Sequence, residues 1–225
     1  MTPLEEAIAK GQAALTEHAA KRFLAGHGVP VPREALASDA DAAAIAATHI
    51  GFPVVLKASG ATLLHKTEVG GIALNVRSAE EVRQEARRLL TLPGCEGLLV
   101  AEMVRGDREL VCGLTRDPQF GPCVMFGLGG VLTEALADAV FRVAPLTRLD
   151  ALEMLQEIRA SKLLGAFRAQ APANAEALAG ILVALGEIGL RHPEIHEIDL
   201  NPVKIRPDGT PVAVDALVAL DPPRR

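Results

Sequence analysis

The stretch that decides the fold prediction is GFPVVLKASGATLLHKTEVGGIAL, residues Gly51 to Leu74. Its first part, Phe52 to Ala58, is a short apolar run rich in β-branched residues, which predicts a buried strand. A loop follows from Ser59 to Gly71, with a histidine, three hydroxyl residues and a Gly-Gly pair. Ile72 to Val76 then predicts the returning strand. The stretch therefore predicts a pair of strands joined by a glycine-bounded loop.

Two residues of this stretch are candidates for chemistry, Lys57 in the strand and His65 in the loop. A buried strand rarely carries a lysine unless its charge is paired, and a ligand phosphate is one such partner. The alternative is a lysine at a strand end whose ammonium group snorkels to solvent. A loop histidine is usually exposed and inert. Near a phosphate-binding lysine, on backbone bounded by glycines, it becomes a candidate nucleophile.

Composition excludes several classes of protein. The chain has 225 residues, a net charge of −5, 3% aromatic residues and neither Trp nor Tyr. These values argue against a nucleic-acid binder, which needs a basic face or stacking platforms. Residues 121–141 are mostly apolar, but Glu134 and Asp138 argue against a membrane span. Three cysteines without metal-ligand spacing predict buried thiols in a reducing compartment, and no secretory signal opens the chain. We therefore expect a cytoplasmic protein.

The segments around the central stretch predict an α+β fold. In the first half, helices are expected over Ser38–Ile50, with Ser38 as N-cap, and over Ser78–Thr91, with Ser78 and Glu81 as a capping box. A helix start is expected at Thr16, and Pro93-Gly94 is a plausible lobe boundary.

The second half predicts an antiparallel meander of three short strands followed by helices and a closing strand pair. The meander covers 97–104, 108–115 and 123–127, and the helices begin at about 132, 149 and 173. The closing pair covers Ile195–Leu200 and Val212–Val218, with a turn at Pro207-Asp-Gly.

Two carboxylates and an amide lie in this closing pair: Asp199 and Asn201 in EIDLNPV, and Asp215 in VAVDALV. Alternation puts Asp199 and Asn201 on the same face of the strand, and a hairpin brings Asp215 near them. Hard oxygen ligands of this kind suit Mg²⁺, which leaves other positions to phosphate oxygens and water. The alternative is an edge-strand pair with solvated acids.

Two further strand acids and a glycine-rich loop give weaker signals. Glu102 can accept a hydrogen bond from a ribose or adenine group, and Glu109 can orient Lys57 or a metal. Either can instead pair with a neighbouring arginine at the surface. The loop Gly127-Leu-Gly129-Gly130 precedes a predicted helix, so its N–H groups can meet an anion.

In combination, the motifs resemble the ATP-grasp domain of the nucleoside-diphosphate-forming acyl-CoA synthetases, and more narrowly the β subunit of ADP-forming acetyl-CoA synthetase. The motifs are GFPVVLKA, HKTEVGGI, AEMV with a downstream REL, FGLGGVLTEALAD with FRVAPL, and EIDLNPV. The resemblance runs from about Thr16 to Leu220. It implies a single ATP-grasp unit over 1–225, with an N-terminal lid lobe at 20–95, a C-terminal lobe at 96–225, and a helix at 1–19 packing on the latter.

The resemblance also implies roles for residues. Lys57 would contact ATP phosphate and Glu102, Met103 and Val104 the adenosine. Asn201 and Asp215, with Asp199, would hold Mg²⁺. His65 matches the position proposed to carry a transient phosphate. A CoA-binding α subunit or domain would be the partner, in a heterotetramer. The family's arginine–glycine cluster is altered here to LLGAFRAQ, in which Arg168 is retained.

Three functions compete at this point. The first is a phosphotransfer subunit that binds ATP/ADP and Mg²⁺ and works with an α partner. The second is a self-sufficient ATP-grasp carboxylate ligase, and the third is a non-catalytic nucleotide-sensing module. HKTEVGG favours the first, because a ligase needs no phosphohistidine, and intact Lys57, Asn201 and Asp215 speak against the third.

Overall fold

The computed structural model describes residues 1–60, 69–130, 138–166 and 170–221. The chain divides into two compact units. The smaller unit is residues 32–103, and the larger unit is residues 1–31 together with 104–225. Each has its own hydrophobic core.

The smaller unit is an antiparallel sheet with helices on one face. Along the chain its elements are β1 (Glu34–Ala37), α3 (Ala40–Ile50), β2 (Val54–Ser59), β3 (Ile72–Val76), α4 (Ala79–Leu90) and β4 (Gly97–Glu102). Its strands lie in the order β1-β4-β2-β3. Alternate residues of β2, namely Val54, Leu56 and Ala58, join the core formed with α3 and α4. The predicted strand pair is confirmed, since β2 and β3 are antiparallel neighbours.

The larger unit is a six-stranded antiparallel sheet in the order β10-β8-β5-β6-β7, with β9 paired to β8. Its strands are β5 (Arg108–Asp117), β6 (Gly121–Leu128), β7 (Ala139–Val143), β8 (Ile195–Ile205), β9 (Pro211–Ala213) and β10 (Leu217–Leu220). Its helices are α1 (Pro3–Ala9), α2 (Glu17–Ala25), α5 (Arg148–Glu157) and α6 (Ala175–Arg191), with a 3₁₀ turn at Ser161–Leu164. One sheet face packs on these helices in a continuous core.

The N-terminal segment belongs to the larger unit because it pairs with the last strand. The Leu15 N–H donates to the Val218 carbonyl at 2.9 Å, and the Leu220 N–H donates to the Ala13 carbonyl at 2.8 Å. The expected helix over 1–19 is two helices, and the second begins after Thr16, whose hydroxyl accepts from the Ala19 N–H. The predicted helix start at Thr16 is therefore confirmed.

The capping predictions need two corrections. Helix α3 is capped by Asp39, whose carboxylate accepts from the Asp41 and Ala42 N–H groups, and not by Ser38. At α4 the Ser78 hydroxyl accepts from the Glu81 N–H as predicted. The Glu81 carboxylate, however, accepts from the Arg77 N–H rather than closing a box on Ser78.

The expected meander is wrong at its first strand. β4 lies between β1 and β2 in the smaller sheet, whereas β5 and β6, the other two strands of the expected meander, are neighbours in the larger sheet. The chain consequently passes from one unit to the other between residues 31 and 32 and between residues 103 and 104. The expected lobes were residues 20–95 and 96–225. Pro93-Gly94 is a turn between α4 and β4, inside the smaller unit. The physical reason is that β4 hydrogen-bonds on both edges to strands that precede it.

Two smaller expectations can also be compared with the structure. Cys112 is buried, whereas Cys95 and Cys123 are only partly buried. In the described part of the chain, no helix is both long enough and apolar enough to cross a membrane. The helix expected from about residue 132 lies largely outside the described residues.

Candidate functional site

Lys57 lies on the face of the smaller sheet that is opposite α3 and α4. Its neighbours in the chain, Leu56 and Ala58, point into the helix-covered core, so alternation turns Lys57 the other way. Its partners in register are Leu99 on β4 and Ile72 on β3. The residue is 7% exposed, so its ammonium group does not snorkel into solvent. A buried ammonium group on this face fits the expectation of an anionic partner.

The residues expected at the adenosine lie at the end of β4. The Glu102 carboxylate pairs with Arg33, at 3.2 Å from its Nε, and the Met103 N–H donates to the Pro53 carbonyl at 3.3 Å. Val104 is buried and begins the second segment of the larger unit. Arg33 is thus one partner of the Glu102 carboxylate.

The predicted acids are carried by β8 on the sheet face away from the helices. Ile198 and Leu200 are buried in the core, and Asp199 between them is directed to the other face. Asn201, two residues further on, is exposed. The prediction that alternation places Asp199 and Asn201 on one face agrees with this burial pattern.

Asp215 lies in a bend between β9 and β10 rather than in a continuous strand. Its carboxylate accepts from the Ala216 N–H at 2.9 Å. The pKa of Asp199 is raised, first by burial and then by the negative charges of Glu197 and Asp215. The fold therefore brings Asp199 and Asp215 within electrostatic reach of each other, as the hairpin argument predicted.

The donor set around Asp199 fits a hard divalent cation in part. Among the described residues, no group of three or more His, Cys, Asp or Glu side chains could hold a metal ion. Two carboxylates and the Asn201 amide oxygen would fill only part of a shell, which is the usual pattern for Mg²⁺ at a phosphate site. Two carboxylates that repel each other in a partly buried site would be stabilised by a cation.

Glu109 faces Lys204, and the glycine-rich loop packs against it. The Lys204 Nζ lies 3.0 Å from the Glu109 Oε1. The Gly129 N–H donates to the Glu109 carbonyl at 2.8 Å, so this N–H is not available to an anion, contrary to the expectation for Gly129. Gly130 has a φ of +78°, a backbone conformation that L side chains rarely adopt, and this conformation favours glycine there. The Glu109 carboxylate therefore forms an ion pair with Lys204, and its expected role in orienting Lys57 stays a prediction.

Sequence reasoning missed two lysines of the larger unit, Lys204 on β8 and Lys21 on α2. The first stands inside an apolar strand, which is the same signal that pointed to Lys57. The second is 0% exposed, and its helical pattern offered no sign of that. His65 and Arg168 lie outside the described residues.

Comparisons with known proteins identify the family. The model of the ATP-grasp domain matches residues 6–220. The chain is 42% identical to acetate–CoA ligase [ADP-forming] I subunit beta of Pyrococcus furiosus, over 92% of this chain and 91% of that one. It is 41% identical to acetate–CoA ligase [ADP-forming] I of Archaeoglobus fulgidus, where the match covers 83% of this chain but 28% of the relative. The chain belongs to the ATP-grasp domain family.

Solved structures are similar over nearly the whole chain. A dinucleotide-forming acetyl-coenzyme A synthetase 1 from Candidatus Korarchaeum cryptofilum, in complex with coenzyme A and Ca-AMPCP, superposes with a TM-score of 0.92 at 44% identity, covering 97% of this chain and 98% of that one. The same protein has been solved with Mg-AMPPCP and a phosphohistidine segment pointing towards the nucleotide binding site. The predicted resemblance and the ATP-grasp fold are confirmed. The relatives also favour the phosphotransfer subunit over the ligase and sensing alternatives.

Proposed function

We propose that this chain is the nucleotide-binding and phosphotransfer subunit of an ADP-forming acyl-CoA synthetase, which catalyses ATP + carboxylic acid + CoA = ADP + phosphate + acyl-CoA. The observation that carries the proposal is the end-to-end similarity to a separate β subunit, at 42% identity over 91% of that subunit.

One group of residues would bind the nucleotide and transfer the phosphoryl group. Lys57 would contact ATP phosphate, and Glu102 to Val104 would contact the adenosine. The His65 imidazole nitrogen would attack the γ-phosphorus of ATP, so that the bond to the ADP oxygen breaks, a P–N bond forms and the ring loses its N–H proton. Phosphohistidine is a good donor, so the group can move on to a partner.

The residues of the larger unit would hold the cation. Asp199, Asn201 and Asp215 would bind Mg²⁺, which when bound would neutralise charge on the phosphate oxygens. Burial, and after it the negative charges of Glu197 and Asp215, raise the pKa of Asp199, and a cation there would offset both effects, which supports this assignment. The Glu109–Lys204 ion pair would place a further cation on the sheet, with the Glu109 carboxylate fixing its direction.

A partner would supply the CoA chemistry. The Archaeoglobus relative is far longer than the region that matches this chain, which supports a CoA-binding domain that is fused there and is a separate α subunit here. We expect a heterotetramer of the two subunits in the cytoplasm.

The test uses a His65→Ala variant mixed with the cognate CoA-binding subunit. We expect Mg-ATP affinity within about twofold of wild type and acyl-CoA synthesis lowered at least roughly 10³-fold, since the transfer step needs the nucleophile. Wild-type protein with labelled ATP should carry an acid-labile, base-stable phosphoryl label that the variant lacks. His49→Ala, an exposed histidine on α3, is the matched control and should behave as wild type. Wild-type turnover by His65→Ala would overturn the shuttle.

A further inference from the structure

Lys21 is a fully buried charge on helix α2, far in sequence from the acids on β8 to β10. It is 0% exposed. Its Nζ lies 2.8 Å from the Glu17 Oε1, one helical turn earlier, and the Glu17 side chain is 6% exposed. The same ammonium group donates to the Val214 carbonyl at 3.4 Å. Val214 directly precedes Asp215, so the charge reaches the bend that carries this carboxylate.

Stability alone does not account for an ion pair at this place. The neighbours of Lys21 on α2, namely Ala20, Phe23 and Leu24, are core residues. Two charges removed from water lose hydration free energy, and a well-packed apolar side chain of similar volume is often as stabilising or more so. The geometry offers a second role, because the ammonium group ends on the backbone of a bend.

Two hydrogen bonds to the backbone of Val214 hold the bend that carries Asp215. The Val214 N–H donates to the Pro202 carbonyl at 3.1 Å, which ties the bend to the residue after Asn201. The Val214 carbonyl accepts from Lys21, which ties the bend to α2. A third bond, from the Ala213 N–H to the Pro30 carbonyl at 2.8 Å, holds the approach to the bend. The place of Asp215 relative to Asn201 is thus set by backbone bonds and by one buried cation.

We propose that Lys21, oriented by Glu17, is a positioning residue that holds the Asp215 bend beside Asp199 and Asn201 and so sets the affinity of this site for a divalent cation. The inference rests on the proposed function, in which these three residues bind Mg²⁺. Two carboxylates repel each other when no cation lies between them. The hydrogen bonds to Val214 hold the bend and so keep the two carboxylates at a spacing that suits a bound cation. Residues that support metal ligands in this way typically change the metal affinity by 10–100-fold when they are replaced.

The test measures Mn²⁺ affinity by electron paramagnetic resonance, with the protein saturated by a non-hydrolysable ATP analogue, and thermal unfolding without metal. We expect Lys21→Met to weaken Mn²⁺ binding by about 10–100-fold and Lys21→Arg to restore part of it. Glu17→Gln, which keeps the lysine and removes its carboxylate partner, should weaken binding by a smaller factor. This second variant keeps the test decisive if Lys21→Met does not fold.

The matched control is Arg116→Met. Arg116 also donates to backbone carbonyls of the larger unit, those of Gly189, His192 and Ile195, but none of these is in the bend. We expect it to lower the melting temperature and to leave Mn²⁺ affinity within about twofold of wild type. Mn²⁺ affinity that falls equally in Lys21→Met and Arg116→Met would overturn the inference, as would wild-type affinity in both Lys21→Met and Glu17→Gln.

Asp215→Asn separates this inference from the proposed function. If Asp215→Asn weakens Mn²⁺ binding and the Lys21 and Glu17 variants do not, the positioning role is wrong and the metal assignment stands. If Asp215→Asn binds Mn²⁺ like wild type, the metal assignment is wrong, and the role of Lys21 is wrong with it.

Discussion

Lys57 and Asp199 are charged residues of two different sheets that the fold withdraws from water to different degrees. Lys57 is 7% exposed on a strand with apolar neighbours, whereas Asp199 is partly buried near two other carboxylates. In the proposed function Lys57 would bind the phosphate of Mg-ATP and Asp199 would bind its divalent cation.

For Lys57 we expect Lys57→Ala to weaken ATP binding by about 10–100-fold, the range of a lost hydrogen bond to a charged group. Lys57→Arg should weaken it less, since a cation remains although its planar fork fits differently. Isothermal titration calorimetry measures both, with Lys10→Ala, an exposed lysine of the larger unit, as the control. Equal wild-type affinity in both Lys57 variants would remove this residue from the nucleotide site.

For Asp199 the prediction concerns pH. Its pKa is raised in the folded protein, so the folded protein binds this proton up to a higher pH than the unfolded chain does. The stabilising effect of the proton is therefore present at low pH and is lost as the pH rises through the folded-state pKa. Asp199→Asn should raise the melting temperature of the metal-free protein at pH 7. The difference in melting temperature between this variant and wild type should shrink as the pH falls towards the pKa of the Asp199 carboxyl in the unfolded chain.

A control of opposite sign is available in the β8–β9 turn. There the Thr210 N–H donates to Asp208 at 2.9 Å and lowers the pKa of this carboxyl. Asp208→Asn should therefore lower the melting temperature at pH 7. If both variants shifted the melting temperature in the same direction, the electrostatic account of Asp199 would fail.

At the scale of elements, the start of α3 is determined by which side chain reaches its free N–H groups. Ser38 and Asp39 are both good N-cap residues, and the sequence pattern favoured the first. In the structure the Asp39 carboxylate accepts from two N–H groups, while the Ser38 hydroxyl donates to that carboxylate. Asp39 has the extended backbone conformation of an N-cap residue and directly precedes the first helical residue, Ala40, so its side chain is the one that reaches the free N–H groups.

We expect Asp39→Ala to lower the stability of the smaller unit clearly more than Ser38→Ala does, because only the first leaves two helical N–H groups without their side-chain acceptor. Urea denaturation followed by circular dichroism measures the difference. The pKa of Asp39 is lowered by the Ala42 N–H and by Ser38, so its stabilising effect should be lost as the pH falls through the folded-state pKa. A larger effect of Ser38→Ala would restore the sequence-based assignment.

At the scale of the whole molecule, the chain forms two cores rather than one. Leu56 is 0% exposed in the core of the smaller unit, and Leu182 is 0% exposed in that of the larger unit. The smaller unit is one continuous segment, so the chain crosses between the units at 31/32 and 103/104. We therefore expect core defects to act mainly on the unit that contains them.

The corresponding prediction uses one leucine from each core. Leu56→Ala and Leu182→Ala should each cost about 2–5 kcal/mol of local stability, the usual range for a buried leucine. Hydrogen exchange measured by mass spectrometry should show faster exchange over 32–103 for the first variant and over 104–221 for the second. Uniformly faster exchange in either variant would mean that the cores unfold together.

Local sequence pattern was enough to predict most helices and strands, and to predict that Asp199 and Asn201 share one face of β8. Periodicity and turn residues predicted β2, β3, the helix start at Thr16 and the shared face of Asp199 and Asn201, because each depends on residues within a few positions of one another. The ATP-grasp fold followed from motifs of the same local kind. Sequence pattern was therefore sufficient for most elements, for the family and for the face of β8 that carries the acids.

Only the tertiary structure decided which elements are neighbours. The alternation of apolar and polar residues predicts which face of a strand is buried, but it does not predict which strand lies beside it. Pairing between strands that are far apart in the sequence has no local signal. For that reason β4 was expected beside β5 and lies between β1 and β2, and the ion pair of Glu109 with Lys204 had no local signal in the sequence. For the same reason the burial of Lys21 behind the Asp215 bend became visible only in the fold, where residues 193 positions apart share a hydrogen bond.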